Sequence, residues 1–537
     1  MRSLSNTRLT RRRLLASALA AGGAGGVALA GCGGEEAEQP AASETGTPSA
    51  GKPKRGGTLR VAITATILSL DPQTTEGVGT APYFYSYLVH ATDWQGNVGD
   101  VAASWEIVDG LEWVFTLRED VNFQDIPPAN GRRLVAEDVV KSIDRYRSLP
   151  VTGTWNQWVD RYEAPDAATF VLRTKTPYGY VLPTLVGSTI SGIVCMEAVE
   201  EFGDLRNRAL GSGPYVLAEF DRDKGLEMLR NPGYYHDFPY LDGISVRVMS
   251  DEASIQAAFR SGALDTHGAS NRMKAEAVKD VKGVDVHRFL DRAYACIRLN
   301  AVKFEPFKDQ RVREAFDIAL DRRAMIERLH FGDAELAGPV PPAWETSLPK
   351  EEVEQAYKRD VARARQLLSA AGHDELSVDL SMGNYGDMPD QAAIIKANLA
   401  EAGIKVNLQP AELGTWLANM LLGNFQATVF SHLKFLSDEI PLQSHHSLGS
   451  SREQRDYLGV DDAEVDALLD KAQQTLDDEE RKQIAWEAER LILKRHGPTL
   501  HLYQPYAYLC IRDYVKGFQP SAFGLGLFKY DYWLDEG

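Results

Sequence analysis

The sequence predicts an α/β protein of two units behind an N-terminal export segment, and three observations predict it. From Gly56 to about Arg292 the apolar residues alternate as half-buried strands do, with shorter helical stretches between them. Beyond that point helical spacing takes over, and strands then alternate with helices, which implies parallel pairing with right-handed crossovers. From Leu500 onward the chain returns to aromatic, strand-like sequence. That return sends it back to the first unit, so two chain crossings join the units.

Residues 1–31 read as an export signal. Arg2, Arg8, Arg11, Arg12 and Arg13 form its charged region without an acid, and Leu14 to Leu29 form its apolar region. That region falls short of the about 20 apolar residues a bilayer span needs. Thr10-Arg11-Arg12-Arg13-Leu14-Leu15 resembles a twin-arginine signal, which exports a folded protein. Leu29-Ala30-Gly31-Cys32 resembles a lipobox, in which the chain is cut before Cys32 and the cysteine takes a diacylglyceryl group. Two acyl chains hold a protein at a bilayer where one lets it leave. Residues 32–55 then form the lipidated cysteine and a flexible tether of Glu, Ala, Ser, Thr, Pro and Gly. No other run in the chain is long and apolar enough to span a membrane.

The 537 residues carry a formal charge of −18, and losing five arginines with the signal makes the remainder more acidic still. Such a surface argues against nucleic acid and against adhesion to anionic lipid. Besides Cys32 there are Cys195, Cys296 and Cys510, an odd trio that allows at most one disulfide; each sits in an apolar setting, which predicts buried free thiols.

The ordered part begins at Gly56-Gly57-Thr58, where Leu59, Val61 and Ile63 alternate as a strand. Trp113, Phe115 and Leu117 do the same, as do Phe170 and Leu172, then Ile244, Val246 and Val248. In the second unit Val312, Ala315, Phe316, Ala319 and Leu320 recur at helical spacing behind Asp309 as N-cap. Val361 to Ala371 makes a helix stopped by Gly372. The alternation follows: strand Val378-Leu380-Met382, helix Gln391 to Ala402 stopped by Gly403, strand Ile404-Val406-Leu408, helix Trp416 to Leu422, strand Ala427 to Phe430. Two long helices come next. One carries the stripe Val465, Leu468, Leu469 and Ala472; the other opens at Asp477 with Glu480 three residues on and ends at Gly497-Pro498.

Gly56-Gly57-Thr58-Leu59-Arg60-Val61-Ala62 followed by Leu70-Asp71-Pro72 resembles the mature start of the oligopeptide- and dipeptide-binding proteins of ABC importers. Further pieces agree in order, among them Ala103-Ser104-Trp105-Glu106, Gly211-Ser212-Gly213-Pro214-Tyr215, Asn231-Pro232-Gly233-Tyr234-Tyr235, Asp309-Gln310-Arg311-Val312-Arg313-Glu314-Ala315 and Ala319-Leu320-Asp321-Arg322. The resemblance covers essentially residues 56–537. It implies the two-lobed α/β fold of periplasmic binding proteins (type II, large cluster), with a hinge of two crossing strands. Carried onto this chain, lobe one is residues 56–290 with an extra subdomain at about 86–205, lobe two is 291–499, and 500–537 return to lobe one. The hinge strands fall at 294–300 and 499–503.

The resemblance further implies a solute-binding receptor with no catalysis and no cofactor. Peptides lead as ligands, while relatives take nickel complexes, haem, sugars or opines. The implied partners are the solute, an ABC permease and an ATPase, with the membrane met through the lipid anchor alone and the chain a monomer. A hydrolase on the same body would need a nucleophile or metal constellation, and a sensory receptor would need a signalling partner. The chain has no Gly-x-x-x-x-Gly-Lys-Ser/Thr loop, no His-Glu-x-x-His and no Gly-x-Ser-x-Gly. Gly211-Ser212-Gly213 precedes a strand, which is the wrong context for a dinucleotide loop.

Glu76 and Val78 follow Leu70-Asp71-Pro72 at the spacing where the family lines its cleft. Its peptide binders also carry a Trp, an Asp and an Asp-Pro turn in lobe two; the aspartate pairs the peptide's α-ammonium, because a buried cation needs a fixed counter-charge. The equivalent stretch here holds His432, Lys434, Asp438, Glu439 and Pro441. Asp438 is the nearest candidate and Glu439 the alternative, but the Trp and the Asp-Pro are missing, and Lys434 could reverse the preference toward an anion. Aromatic side chains supply contact area with few rotors, so Trp155, Trp158, Tyr385, Trp416, Tyr503 and Phe523 are candidates, with Tyr503 first because it falls on an expected hinge strand. His445-His446 suits a metal or haem by residue type, yet its polar loop predicts a solvated pair, and no metal is expected.

Overall fold

The computed structural model describes residues 52–64, 66–74, 79–91, 97–149, 158–185, 192–249, 251–291, 293–432, 439–447, 458–518 and 531–535. Their elements form two lobes, each around its own apolar core.

Lobe one begins with β1 (Thr58–Ile63), β2 (Val89–Ala91), β3 (Asn97–Gly99), β4 (Ala102–Val108), β5 (Glu112–Leu117), β6 (Val159–Asp166) and β7 (Thr169–Thr174). It continues with β8 (Tyr215–Asp221), β9 (Gly225–Arg230) and β10 (Gly243–Val248). β4-β5-β7-β6 is an antiparallel sheet, and β1-β10-β9-β8 is a second sheet in which β1 and β10 run parallel. The alternation read from the sequence is the pleat: Trp113, Phe115 and Leu117 are buried, and so are Leu59 and Val61. Gly211-Ser212-Gly213 leads into β8 through a close approach. A Cβ on Gly211 would stand 2.3 Å from the Phe84 carbonyl oxygen, and one on Gly213 would stand 2.5 Å from the Phe84 carbonyl carbon. Only glycine lets the two backbones meet there.

The large sheet joins both lobes. Its strands are β11 (Thr266–Ala269), β12 (Val284–Leu290), β13 (Tyr294–Leu299), β14 (Ala334–Leu336), β15 (Ser377–Gly383), β16 (Lys405–Ala411), β17 (Ala427–His432) and β18 (Thr499–Arg512). A last hairpin, β19 (Val515–Lys516) with β20 (Trp533–Leu534), closes on lobe one. β15 pairs in parallel with both β16 and β17, the succession that alternating strands and helices require.

Helix signals hold with small shifts. Asp309 caps Gln310–Ala319 by accepting from the Arg311 amide, and Asp477 caps Asp478–Arg495 by accepting from the Glu480 amide. The helix expected from Gln391 starts at Met388, because Pro389 is tolerated in a first turn. The helix expected from Trp416 starts at Leu413 behind a Glu412 cap. Asp478–Arg495 ends on His496 in the left-handed region (φ 47°), one residue before the expected Gly497. Gly497 is instead pressed against His445, whose Nδ1 would lie 2.9 Å from an added Cβ.

The sequence from Leu500 onward shows two strand-like pieces, but the structure makes one 14-residue strand of them, about 46 Å long at about 3.3 Å per residue. The first part of β18 pairs with β13 and β14, and the second with β11 and β12. The change falls at Gln504–Pro505. Asp291, between β12 and β13, donates its amide to the Pro505 carbonyl at 3.0 Å and accepts from Gln504 Nε2 at 2.6 Å. The two segments that pass between the cores are thus bonded to each other.

Candidate functional site

The crossing sets the site. β13 pairs Tyr294 with His432 of β17 on one side and Ala295 with Tyr503 of β18 on the other. β15 ends at Gly383, two residues before Tyr385. The backbones of Tyr503, Tyr294 and His432, and the turn that carries Tyr385, therefore lie at one edge of the lobe-two sheet, the carboxyl edge of its parallel strands and the edge nearest the crossing. Open α/β sheets bind their ligands outside that edge.

Tyr503 is only 1% exposed. The His330 ring meets it edge-on at 4.7 Å, and its hydroxyl has no hydrogen-bond partner among the described residues. Burial pushes this phenol well above its ordinary range, and the nearby Asp387 carboxylate adds to the rise. His330 Nε2 lies 3.6 Å from Asp387 Oδ2, while burial lowers the imidazole below its usual 6.5 against the pull of Asp387. Tyr385, by contrast, is 62% exposed. Trp416 is committed to its own lobe: it packs beside Gly383, and its Nε1 donates to Thr428 Oγ1 at 3.1 Å.

The histidine pair expected in solvent is buried, both His445 and His446. Leu442, three residues earlier, belongs to a small apolar cluster with Val465 and Leu469 and draws the segment inward. His445 Nε2 lies 2.9 Å from His501 Nε2, so one ring donates and the other accepts, both neutral. Burial, with Arg298 adding to it, holds His445 down at about 3. Burial first, then His445 and Arg322, push His501 well below the ordinary histidine range. Arg322 reaches the same strand, donating to the His501 carbonyl at 2.7 Å while paired with Asp317. Burial alone would raise Asp317, but Arg322 and His496 hold it at about 2.

Glu76, Val78, Trp155 and Asp438, together with Lys434, Phe523 and Cys32, lie outside the described residues, and His432 is described by its backbone alone. Trp158 is buried in lobe one, stacked on Tyr178 at 4.6 Å. Glu439 is engaged within the protein: its carboxylate accepts from the Tyr178 hydroxyl and from Gln473 Nε2. Sequence reading missed Tyr178, His330 and Asp387, since each acquires its neighbour only through the tertiary fold. His501 carried no signal either: between Leu500 and Leu502 it reads as the solvent-facing position of an alternating strand, and only the tertiary fold buries it. Among the described residues no group of three or more His, Cys, Asp or Glu could hold a metal ion, and no helix is long and apolar enough to cross a membrane. Cys195, Cys296 and Cys510 are free and buried.

Known proteins share this organisation. The family described as "Bacterial extracellular solute-binding proteins, family 5 Middle" matches residues 97–448. The oligopeptide-binding protein AppA of Bacillus subtilis (strain 168) is 26% identical over 535 residues, spanning 91% of this chain and 93% of that one. The solved structure of the periplasmic binding protein DppA from Helicobacter pylori, in complex with the peptide STSA, superposes with a TM-score of 0.77 at 23% identity, covering 90% of this chain and 99% of that one. The binding protein AgaA from A. tumefacien R10, in complex with agropinic acid, gives 0.76 at 24% identity with the same coverage.

Proposed function

The chain belongs to the bacterial extracellular solute-binding proteins of family 5, and from that membership we propose that it captures peptides or peptide-like solutes for an ABC importer. One observation carries the reading: the family match, residues 97–448, runs from lobe one into lobe two across the first of the two crossing segments. Two connections bonded to each other leave the lobes free to rotate about them, and a solute held between the lobes favours the closed form by contacts it makes only there. The peptide assignment is supported by the oligopeptide-binding relative.

In this reading Tyr385 contributes exposed lobe-two surface and Tyr503 a buried hydroxyl donor, with His432, Trp416 and Asp438 around them and Glu76, Val78 and Trp155 opposite. Cys32 anchors the exported, monomeric chain in the periplasm or at the outer face of the cytoplasmic membrane, and a permease with its ATPase takes over the solute. A second reading, a non-peptide solute, follows from the lobe-two stretch: the Trp and the Asp-Pro turn of the peptide binders are missing, and Glu439, next to Asp438, already accepts from Tyr178 and Gln473.

Native mass spectrometry of the purified mature chain is the test. The expected spectrum shows the chain plus one small solute, either co-purified or taken from an added pool of di- to pentapeptides and recovered unaltered. A bound solute that is not a peptide selects the second reading. Failure to retain any solute, or chemical conversion of the one retained, overturns the proposal.

A further inference from the structure

The lobes meet a second time, through elements other than the crossing strands. Tyr178 belongs to the lobe-one core. Its hydroxyl reaches both carboxylate oxygens of Glu439, at 2.8 and 2.9 Å, in the lobe-two helix Glu439–Gln443. Gln473 donates to the same carboxylate at 2.8 Å, and the Gly179 amide donates to the Gln473 carbonyl at 2.8 Å. The approach is close enough to exclude any side chain at position 179, where a Cβ would lie 2.1 Å from the Thr475 carbonyl oxygen. Arg481 donates to that carbonyl at 3.1 Å and lies over the Tyr180 ring. Leu476, in the turn between the helices Ala463–Gln474 and Asp478–Arg495, packs against the lobe-one core. The facing sides of the same two helices build a cluster with Val340 and Leu442 of lobe two.

A hydrogen bond to a carboxylate, sheltered beside a buried ring, is stronger than an exposed neutral one. Bonds that span the two cores exist only while the lobes are together, so they favour the closed form whatever the solute contributes. We infer that Tyr178–Glu439, backed by Gly179–Gln473, is a clasp that holds the closed form shut and sets how long a solute stays. The inference rests on the reading that the solute is held between the lobes. Tyr178 acts here as a positioning residue, through lobe closure and without touching the solute.

The test uses the full chain, a pool of tri- and tetrapeptides as probe, and the variants Tyr178→Phe, Glu439→Ala and Glu439→Gln. Tyr178→Phe and Glu439→Ala should raise the dissociation rate of the pool roughly tenfold, with association changed less than about twofold. Glu439→Gln keeps an acceptor without the charge and should restore only part of the difference. In hydrogen exchange, the segment around Gly179 should lose protection in the first two variants. Unchanged dissociation and exchange in both, with wild-type thermal stability, overturns the clasp. If the pool binds no form of the protein, the peptide reading fails, and the exchange arm decides the clasp alone: lost protection upholds it and retained protection overturns it.

Discussion

Acid should loosen lobe two through His445 and His501. Both rings are neutral and held below the ordinary histidine range by burial, His445 at about 3. In the unfolded chain each takes up a proton near pH 6.5. Because the folded values lie below the unfolded ones, the unfolded state binds more protons once the pH drops under about 6.5. Stability is therefore complete above neutrality and falls as the pH moves through 6.5 toward 3. For His445 alone the loss between pH 7 and pH 5 is about 2 kcal/mol. The groups facing the pair are Arg298, Arg322 and Asp317. Asp317, held at about 2, keeps its charge throughout that window. His267, His287 and His330 are also lowered by burial, so the comparison is made against His445→Gln, which keeps those three and retains a hydrogen-bonding side chain toward His501. Urea titrations at pH 7 and pH 5, followed by tryptophan fluorescence and circular dichroism, should show the wild type losing about 2 kcal/mol more than the variant. Equal losses in the two proteins would refute the burial argument.

Three other perturbations separate stability from binding. Arg322→Met strands the buried Asp317 carboxylate with His496 alone and should cost about 3–5 kcal/mol; an unchanged thermal midpoint would contradict this. Tyr503→Phe deletes a hydroxyl that has no partner among the described residues, so the thermal midpoint should hold while calorimetry shows affinity for the peptide pool falling by about 1 kcal/mol or more; unchanged affinity removes Tyr503 from the site. Cys32→Ser should release the protein from the membrane fraction of cells, because no acyl chain can then be attached; continued sedimentation with membranes would show a different anchor.

The fold was legible where one physical rule governs a segment. Period-two alternation placed β5 because its two faces differ, with Trp113, Phe115 and Leu117 turned inward. The Asp309 and Asp477 caps were visible because the capping carboxylate and the amide it serves lie within one turn of the same segment. β18 was only half legible. A strand covered on both faces has no solvent side for alternation to mark, and nothing local says that Leu502 and Leu509 pack into different cores. Long-range pairing decides that, and pairing partners are not written in the strand itself.

The candidate site was read through the same strand, and the limits of that reading follow from burial. Thr499 through Gln504 are all buried, so each polar side chain there must find a partner or stay unsatisfied. Gln504 bridges the crossing, accepting from the Ala343 amide and donating to the Asp291 carbonyl. His501 finds His445, a residue whose polar neighbours had suggested solvent. The Tyr503 hydroxyl finds none among the described residues, although Asp387 and His330 stand beside it. An unmet donor costs about 1–3 kcal/mol when it is sealed in protein. It sits at the carboxyl edge of the parallel strands, next to the point where the lobes turn on each other. A polar atom of a captured solute, arriving as the lobes close, would complete this bond in the closed form alone, which is the differential contact that ligand-driven closure requires.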